Sequence, residues 1–460
     1  MRTSNLKNVG GHATYKDRCV LNKIELRKKE GCVRMLTTKP RGTNDLLPQE
    51  LEKWHYVENI MREVATLYGY QEIRTPIFEH TELFQRGVGE TTDIVEKEMY
   101  TFLDRGKRSL TLRPEATAST VRAFLENKLY ADPLPVKLYY LGPMFRYDRP
   151  QAGRYRQFHQ FGVEVFGSQS PSLDAEVIAM AMDIYERLGL HDLVVELNSV
   201  GCPQCRRAHK KVLQDYLQAK LADLCPTCQG RFEKNPLRIL DCKNGRCQNL
   251  VAEAPKLEQM LCEECRRHFQ LVQDYLQELQ VPYTLNSCLV RGLDYYTKTA
   301  FEIVAQGIGA QSSIGGGGRY DRLIEECGGP SLPGIGYAMG IERILLTLEE
   351  QGIEFPLQTK GQIFIATLGE KAQKKGAKLA QELRKAGLMV ERDYLERSLK
   401  AQLKAANRLQ VSITVILGEE ELAQGEAVVR DMQAGGQKEI PLQELVSYLV
   451  KKFRGGKQDE

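Results

Sequence analysis

Residues 137–167 read KLYYLGPMFRYDRPQAGRYRQFHQFGVEVFG, and no other stretch limits the possible folds as tightly. Positions 138–145 are rich in aromatic and strand-favouring residues, Pro150–Gln151–Ala152–Gly153 interrupts them, and 155–166 resumes the pattern. Two such runs around a polar, turn-forming segment predict an antiparallel strand pair with a long loop. Side chains alternate across a strand, so Arg156, Phe158, Gln160, Gly162, Glu164 and Phe166 should share one face. An ordinary half-buried strand is apolar on its core face. This one sets a guanidinium, an amide and a carboxylate between aromatics, with Gly162 removing bulk in the middle. Arg146, Arg149 and Arg154 add forked cations suited to phosphate at or near the loop. The plain alternative is a solvated sheet face with surface ion pairs.

A hairpin of this kind needs a sheet around it, and 460 residues allow two to four domains with a large core. Apolar content of 42% and charged content of 27% are those of a soluble globular protein, and no apolar run approaches the ~20 residues that span a bilayer. The net charge of +4 is unevenly spread: residues 1–34 hold nine Lys/Arg against Asp17, Glu25 and Glu30, which leaves the remainder at −2. Within that remainder, 371–408 carries eleven basic residues against four acidic ones, pointing to an anionic partner near the C-terminal end. Of twelve cysteines, eight fall between Cys202 and Cys265. A secreted disulfide scaffold would be short and would follow a signal peptide; the basic N-terminal stretch has no apolar segment of that kind, so a reducing cytoplasm is expected.

Residues 1–34 lack periodicity and are read as a disordered basic extension before Met35; a transit peptide is the rival, but Ser4 is the only serine there. A helix is expected over 48–68, with Leu51, Trp54, Val57, Ile60, Met61, Val64 and Leu67 at helical spacing, then a short strand over 73–78 that Pro76 suits to an edge or a subunit contact. Residues 110–112 form another strand leading into Arg113–Pro114–Glu115–Ala116–Thr117, with helices over 118–129 and 174–188. Residues 202–286 differ in composition, with three Cys-x2-Cys pairs and two helices, at 206–224 and 263–279. Strand character returns at LVRGLDYYTKTAFEIV (289–304) and at SSIGGGGRYDRL (312–323). The four glycines lack the Gly-Lys-Ser/Thr ending of a phosphate loop, and a strand stripped so that a ligand can lie against backbone fits better. GIGYAMGIERILLTL (334–348) is a strand running into a helix with Arg343 near its start. From 362 onward a β-α-β-α-β alternation predicts a separate domain with a mainly parallel sheet.

These residues suit a site for ATP phosphates and a small zwitterion. Arg146 and Arg343 would clamp phosphates, Glu115 and Thr117 could accept from an ammonium group, and Glu164 could receive an N–H donor such as a protonated imidazole. No Ser/His/Asp set is evident, and His159, opposite in facing to Gln160, reads as a satisfied core histidine. Four segments occur in order: TPIFEHTELFQRGVGE; FRYDRPQAGRYRQFHQFGVE; LVRGLDYYTKTAFE with GGGGRYDRL; and GYAMGIERI. Together they resemble the histidyl-tRNA synthetases, over about residues 37–455. The first, second and fourth are similar to the three general motifs of class II aminoacyl-tRNA synthetases, and the third marks histidine.

The resemblance implies an α+β catalytic core with a mixed, largely antiparallel sheet flanked by helices, a separate α/β C-terminal anticodon-binding domain and a small, mainly helical insertion. The expected divisions are a disordered extension (1–34), catalytic core (35–201 and 287–351), insertion (202–286), linker (352–360) and anticodon-binding domain (361–455). It implies a homodimer formed partly through the Pro76 region, and ATP with Mg2+, histidine and tRNA(His) as substrates. Arg146 would contact the α-phosphate and the substrate carboxylate, Arg343 the outer phosphates, and Arg291 the reacting oxygens. Glu115, Thr117 and Gln160 would bind the α-ammonium group, with Ala116 also in the histidine site; Glu164, Tyr295 and Tyr296 would form the imidazole pocket, one tyrosine facing away if the strand is regular. Arg154 would join the ATP site, and the 149–154 loop would reach the acceptor end of the tRNA.

Two departures from the family pattern are the extension before Met35 and the cysteine density of the insertion. Cys202–Cys205 and Cys225–Cys228 have zinc-like spacing, but an intervening helix over 206–224 would rise about 28 Å and hold them apart. A structural zinc in the insertion would then pair one of them with cysteines among Cys242, Cys247, Cys262 and Cys265, and reduced, buried thiols are the alternative. The other functional readings are the catalytically silent regulatory subunit of ATP phosphoribosyltransferase, which lacks the C-terminal domain, and a zinc-dependent nucleic-acid-binding module, which leaves Glu115, Gln160 and Glu164 without a task.

Overall fold

The computed structural model of the protein describes residues 37–89, 92–305, 313–356 and 363–454. The expected extension (1–34) and the end of the expected linker (357–360) lie outside these residues. The chain divides into two compact units, the first ending at Glu354 and the second starting at Phe355.

The strands of the first unit are β1 (Gln71–Glu72), β2 (Phe78–His80), β3 (Tyr100–Leu103), β4 (Ser109–Leu112), β5 (Val136–Phe145), β6 (Gln157–Phe166), β7 (Leu193–Ser199), β8 (Tyr283–Leu285), β9 (Thr297–Ala305), β10 (Ser313–Arg319) and β11 (Gly334–Gly340). Eight of them form one sheet in the order β1-β5-β6-β11-β10-β9-β7-β8. Its inner pairs are antiparallel, and only the end pairs β1/β5 and β7/β8 are parallel. A small antiparallel sheet, β2-β4-β3, stands apart. The β5–β6 hairpin forms as its alternation implies, with Glu164 opposite Leu138 on one side and Gly336 on the other. Helix Pro171–Arg187 has Pro at its first turn and buries Leu173, Val177, Met180, Ala181 and Ile184 at helical spacing. It packs against helices Pro48–Leu67 and Glu263–Glu278 and against β11, covering one sheet face.

Several expected elements differ. The strand placed at 73–78 does not form: β1 stops at Glu72 and β2 begins at Phe78. Pro76 has no N–H to offer a ladder, and only the Ile73 N–H continues the pairing, to the Tyr139 carbonyl at 2.8 Å. The strand expected over 289–304 begins only at Thr297. Before it the chain turns: the Leu289 N–H bonds the Asn286 carbonyl at 2.9 Å, and the Asn198 side-chain amide takes the Leu289 carbonyl. The helix expected over 206–224 runs Pro203–Gln218, starting at the proline that suits a first helical position.

The second unit contains β12 (Ile363–Thr367), β13 (Val390–Arg392), β14 (Ile413–Leu417), β15 (Glu426–Asp431) and β16 (Gln437–Pro441), in the order β13-β12-β14-β15-β16. The first three are parallel, as the alternation predicts; β15 and β16 add an antiparallel hairpin. Ile363, Ile365, Leu379, Leu383, Val415 and Leu449 form its core. Among the described residues no helix is long and apolar enough to cross a membrane.

Candidate active site

The first unit holds a cavity of about 350 Å³ lined from β5, β6, β10, β11, the turn before β9 and the start of helix Ile341–Glu350. Glu164 is buried in its wall. Its Oε1 accepts hydrogen bonds from Thr117 Oγ1 at 2.7 Å and from the Tyr140 hydroxyl at 3.3 Å, and Tyr320 donates to Oε2. Burial pushes the carboxyl up to about 8, against the pull of those hydroxyl donors. Gly162 makes room for this arrangement, since a Cβ there would lie 2.3 Å from the Tyr140 hydroxyl.

Glu115 sits at the sharp turn into helix Thr117–Glu126. Its carboxylate caps that helix, accepting from the Thr117 N–H at 2.7 Å and the Ala118 N–H at 3.0 Å. Burial raises its pKa, partly offset by those N–H donors. Gln160 lines the cavity and holds a buried Oε1 with no hydrogen-bond partner.

The cations are held by backbone carbonyls and carboxylates. Arg146 Nε donates to the Pro114 carbonyl at 2.8 Å, and its guanidinium lies 5.3 Å from the Phe158 ring centroid. Arg343 Nη1 donates to the Ser313 carbonyl at 2.7 Å and Nε to the Gly153 carbonyl at 3.2 Å. Burial lowers the pKa of both, with the neighbouring Arg154 adding to the effect, so a nearby anion would favour their charged forms. Arg291 pairs with Glu302; burial pulls its pKa down, but the carboxylate and the nearby tyrosines hold it above the ordinary value. Gly316 lets it lie against β10, because a Cβ there would stand 2.7 Å from Arg291 Nη1 and 2.7 Å from the Phe301 carbonyl.

Of the residues singled out from sequence, Glu115, Thr117, Arg146, Arg154, Gln160, Glu164, Arg291, Tyr295, Tyr296 and Arg343 line this one cavity. Tyr295 and Tyr296 both do so: they precede β9, so the condition under which one would face away, a regular strand, does not hold there, and their rings lie 4.7 Å apart. Ala116 packs instead with Tyr140 and Met144. Arg156 precedes β6 rather than sharing its face, and its guanidinium stacks 3.9 Å from the Tyr147 ring centroid. Arg149 does not line the cavity. His159 does not line the cavity itself: it bonds Glu342, which does, at 3.0 Å and meets Trp54 edge-on.

Sequence reasoning passed over Tyr140, Tyr320 and Glu302, all of which line the cavity. Tyr140 was reachable through cross-strand register with Gly162, and Glu302 as a lone carboxylate in an apolar strand. It also passed over a buried network behind the sheet, in which Arg319, fully buried, pairs with Asp174, which in turn accepts from Thr299 at 2.6 Å and contacts His268 at 2.9 Å.

A family profile described as histidyl-tRNA synthetase matches residues 42–344, and one described as anticodon binding domain matches 362–452. The chain is 65% identical over 415 residues to a histidine–tRNA ligase of Desulforamulus reducens, covering 90% of this chain and 99% of that one. It is 61% identical over 422 residues to the histidine–tRNA ligase of Moorella thermoacetica, covering 92% of this chain and 100% of that one. Among solved structures, apo S. aureus histidyl-tRNA synthetase matches with a TM-score of 0.78 at 43% identity, covering 90% of this chain and 100% of that one. With two thirds of its length inside that family's profile and relatives this similar along nearly their whole lengths, the chain belongs to the histidyl-tRNA synthetase family.

Proposed function

We propose that this chain is a histidine–tRNA ligase, activating histidine with ATP and passing the histidyl group to tRNA(His). The observation that carries the proposal is one cavity joining a buried, hydroxyl-held carboxyl, an unpartnered amide oxygen and three partly buried guanidinium groups. In the first step a carboxylate oxygen of histidine attacks the α-phosphorus of ATP, the bond to the bridging oxygen breaks, and pyrophosphate leaves with its magnesium. No proton needs to be moved, so the protein's work is placement and charge stabilisation. Arg146 holds the histidine carboxylate against the α-phosphate, its direction set by the Pro114 carbonyl and the Phe158 ring. Arg291 supplies positive charge beside the reacting oxygens, and Arg343, with Arg154, takes the outer phosphates. Glu115, Thr117 and Gln160 receive the α-ammonium group, with Ala116 supporting them from behind. Glu164 shares a proton with the imidazole in a pocket to which Tyr295 and Tyr296 contribute.

The second step transfers the acyl group to the terminal adenosine of tRNA(His), brought in by the 149–154 loop. The unit from Phe355, with its basic 371–408 stretch, binds the anticodon. The catalytic core spans 35–201 and 287–351, the insertion 202–286, the linker 352–360 and the anticodon-binding domain 361–455. The enzyme works in the cytoplasm as a homodimer, and the insertion carries structural zinc. The regulatory-subunit reading is disfavoured by the anticodon-binding match and by Arg291, Tyr295 and Tyr296 lying in the cavity. Histidine-dependent exchange of labelled pyrophosphate into ATP is the expected result. No exchange with histidine, or exchange with a different amino acid, overturns the proposal.

A further inference from the structure

The insertion's eight cysteines, all free of disulfides, gather into two sets of four. Cys202, Cys205, Cys262 and Cys265 form one set, and Cys225, Cys228, Cys242 and Cys247 the other; within each set the sulfurs all lie within 4.8 Å of one another. The Cys202–Cys205 sulfurs are 3.5 Å apart and the Cys225–Cys242 sulfurs 3.9 Å. A disulfide would bring two sulfurs to about 2.05 Å. Four thiolates each about 2.3 Å from one tetrahedral ion stand about 3.8 Å from each other. The observed spacings bracket that second value.

The surrounding backbone suits thiolates. Cys202, Cys225 and Cys262 each cap the N-terminus of a helix, with Cys205, Cys228 and Cys265 in the first turn, where the helix dipole favours negative charge. Amide donors reach across each set: the Cys262 N–H points at Cys205 Sγ at 3.2 Å, and the Cys225 N–H at Cys247 Sγ at 3.2 Å. The same exchange, from the first cysteine of one pair to a sulfur of the other, occurs in both. Buried thiols packed merely as small apolar groups have no use for such donors.

We propose that the insertion binds two zinc ions, each by four thiolates, with the Cys225–Cys247 site nested inside the chain segment closed by the Cys202–Cys265 site. Soft sulfur donors in tetrahedral array select zinc. The two sites do different work. The outer one lies in an apolar cluster with Tyr295 and Tyr296, so its ion positions the walls of the histidine pocket. The inner one packs with Leu213, Leu217 and Phe232, in a cluster that does not include Tyr295 or Tyr296.

This rests on the zinc reading above, and counting ions separates the two. Elemental analysis and native mass spectrometry of the full chain, purified without chelator, should give two zinc ions per chain. Removing the inner pair, Cys225→Ser with Cys228→Ser, should leave one ion and an unchanged histidine KM in pyrophosphate exchange. Removing Cys262 and Cys265, as C262S with C265S, should also leave one ion but raise the histidine KM about tenfold with kcat less affected. One ion in the native chain overturns the two-site proposal and spares a single-ion reading; less than about a tenth of an ion, or a mass showing disulfides, overturns both. If the serine variants fail to fold, the native chain stripped of metal and titrated with cobalt(II) should show thiolate charge-transfer absorption that saturates at two ions, and saturation at one or none refutes the pair of sites.

Discussion

Replacing Glu164 by Gln keeps the volume of the side chain and changes what it can accept. The native carboxyl takes three hydroxyl bonds, from Thr117 and Tyr140 on one oxygen and Tyr320 on the other. An amide keeps a single accepting oxygen, so one of those hydroxyls must turn and accept from its NH2 group. The larger loss is on the substrate: one charge-assisted hydrogen bond to the imidazole, about 1.5–3 kcal/mol. That is a rise of roughly 10- to 150-fold in the histidine Kd. ATP affinity should change by less than about twofold, because its contacts are carried by other residues. The pH profile makes the test sharper. The carboxyl titrates near about 8, and a free imidazole near about 6.5. A pair sharing one proton binds best between these values: below them the imidazole must lose a proton on binding, and above them Glu164 must gain one. Native affinity should therefore be flat across that window and fall about tenfold per pH unit beyond either edge. In E164Q the upper edge near 8 should vanish, the decline starting only where histidine's own ammonium group titrates. Equilibrium dialysis with labelled histidine reads all of this. A Kd for histidine that stays put while that for ATP rises, or an upper edge that survives, refutes the assignment.

The same buried carboxyl makes a stability prediction: an acid with a raised folded-state pKa is fully stabilising below its unfolded value and loses that contribution as pH rises through the folded one, so the Tm of E164Q relative to the native chain should climb from pH 5 to pH 8.5. Gly316→Ala, forced against the Phe301 carbonyl and Arg291, should cost about 1–3 kcal/mol in denaturant melts and lower kcat for pyrophosphate exchange; unchanged values would mean Arg291 is not seated as described. Asp174→Asn removes the fully buried one of the two carboxylates paired with Arg319, leaving Asp321 at 3.1 Å, and should cost about 3 kcal/mol in urea unfolding, with a loss under about 1 kcal/mol refuting the burial argument. Ending the chain at Thr359 should spare pyrophosphate exchange and weaken tRNA charging, whereas a folded truncation that lost exchange would contradict independent units.

The β5–β6 hairpin was legible because its chemistry conflicts with its periodicity: a carboxylate and an amide at core positions of a strand need a reason, and the cavity is the reason. The approach to β9 was not. Residues 289–296 alternate like a strand, yet Asn198 reaches over to take the Leu289 carbonyl, and the Asp294 N–H bonds Val88 instead of a ladder partner. Alternation records side-chain polarity and carries no information about such a partner. Arg319 and Asp174 were invisible for a related cause, since 145 residues separate them and neither belongs to a local pattern. The β15–β16 hairpin escaped because β16 is largely exposed and offers little hydrophobic period. For the cysteines, the rise of the helix after Cys202 was enough to keep the first two pairs apart, as the two sets have it, but which later cysteines each pair meets depends on contacts distant in sequence and was left open.

The position of the insertion in the sheet has a consequence for how such a chain can be assembled. β7 and β9 are antiparallel neighbours, Ser199 facing Thr299, so the insertion as far as β8, which returns to the sheet edge beside β7, lies within the connection of one hairpin. Lengthening a flexible hairpin loop from about 4 to about 100 residues adds only about 3 kcal/mol of closure entropy, and a loop that folds on itself adds less. The sheet is therefore nearly indifferent to the size of what it carries there, and ancestral exchange of this module for a shorter or longer one needs no redesign of the strands. Its return limb is less forgiving. Tyr295 and Tyr296 lie within two residues of the first residue of β9, so any replacement must deliver the chain to the sheet with those two rings already aimed at the pocket.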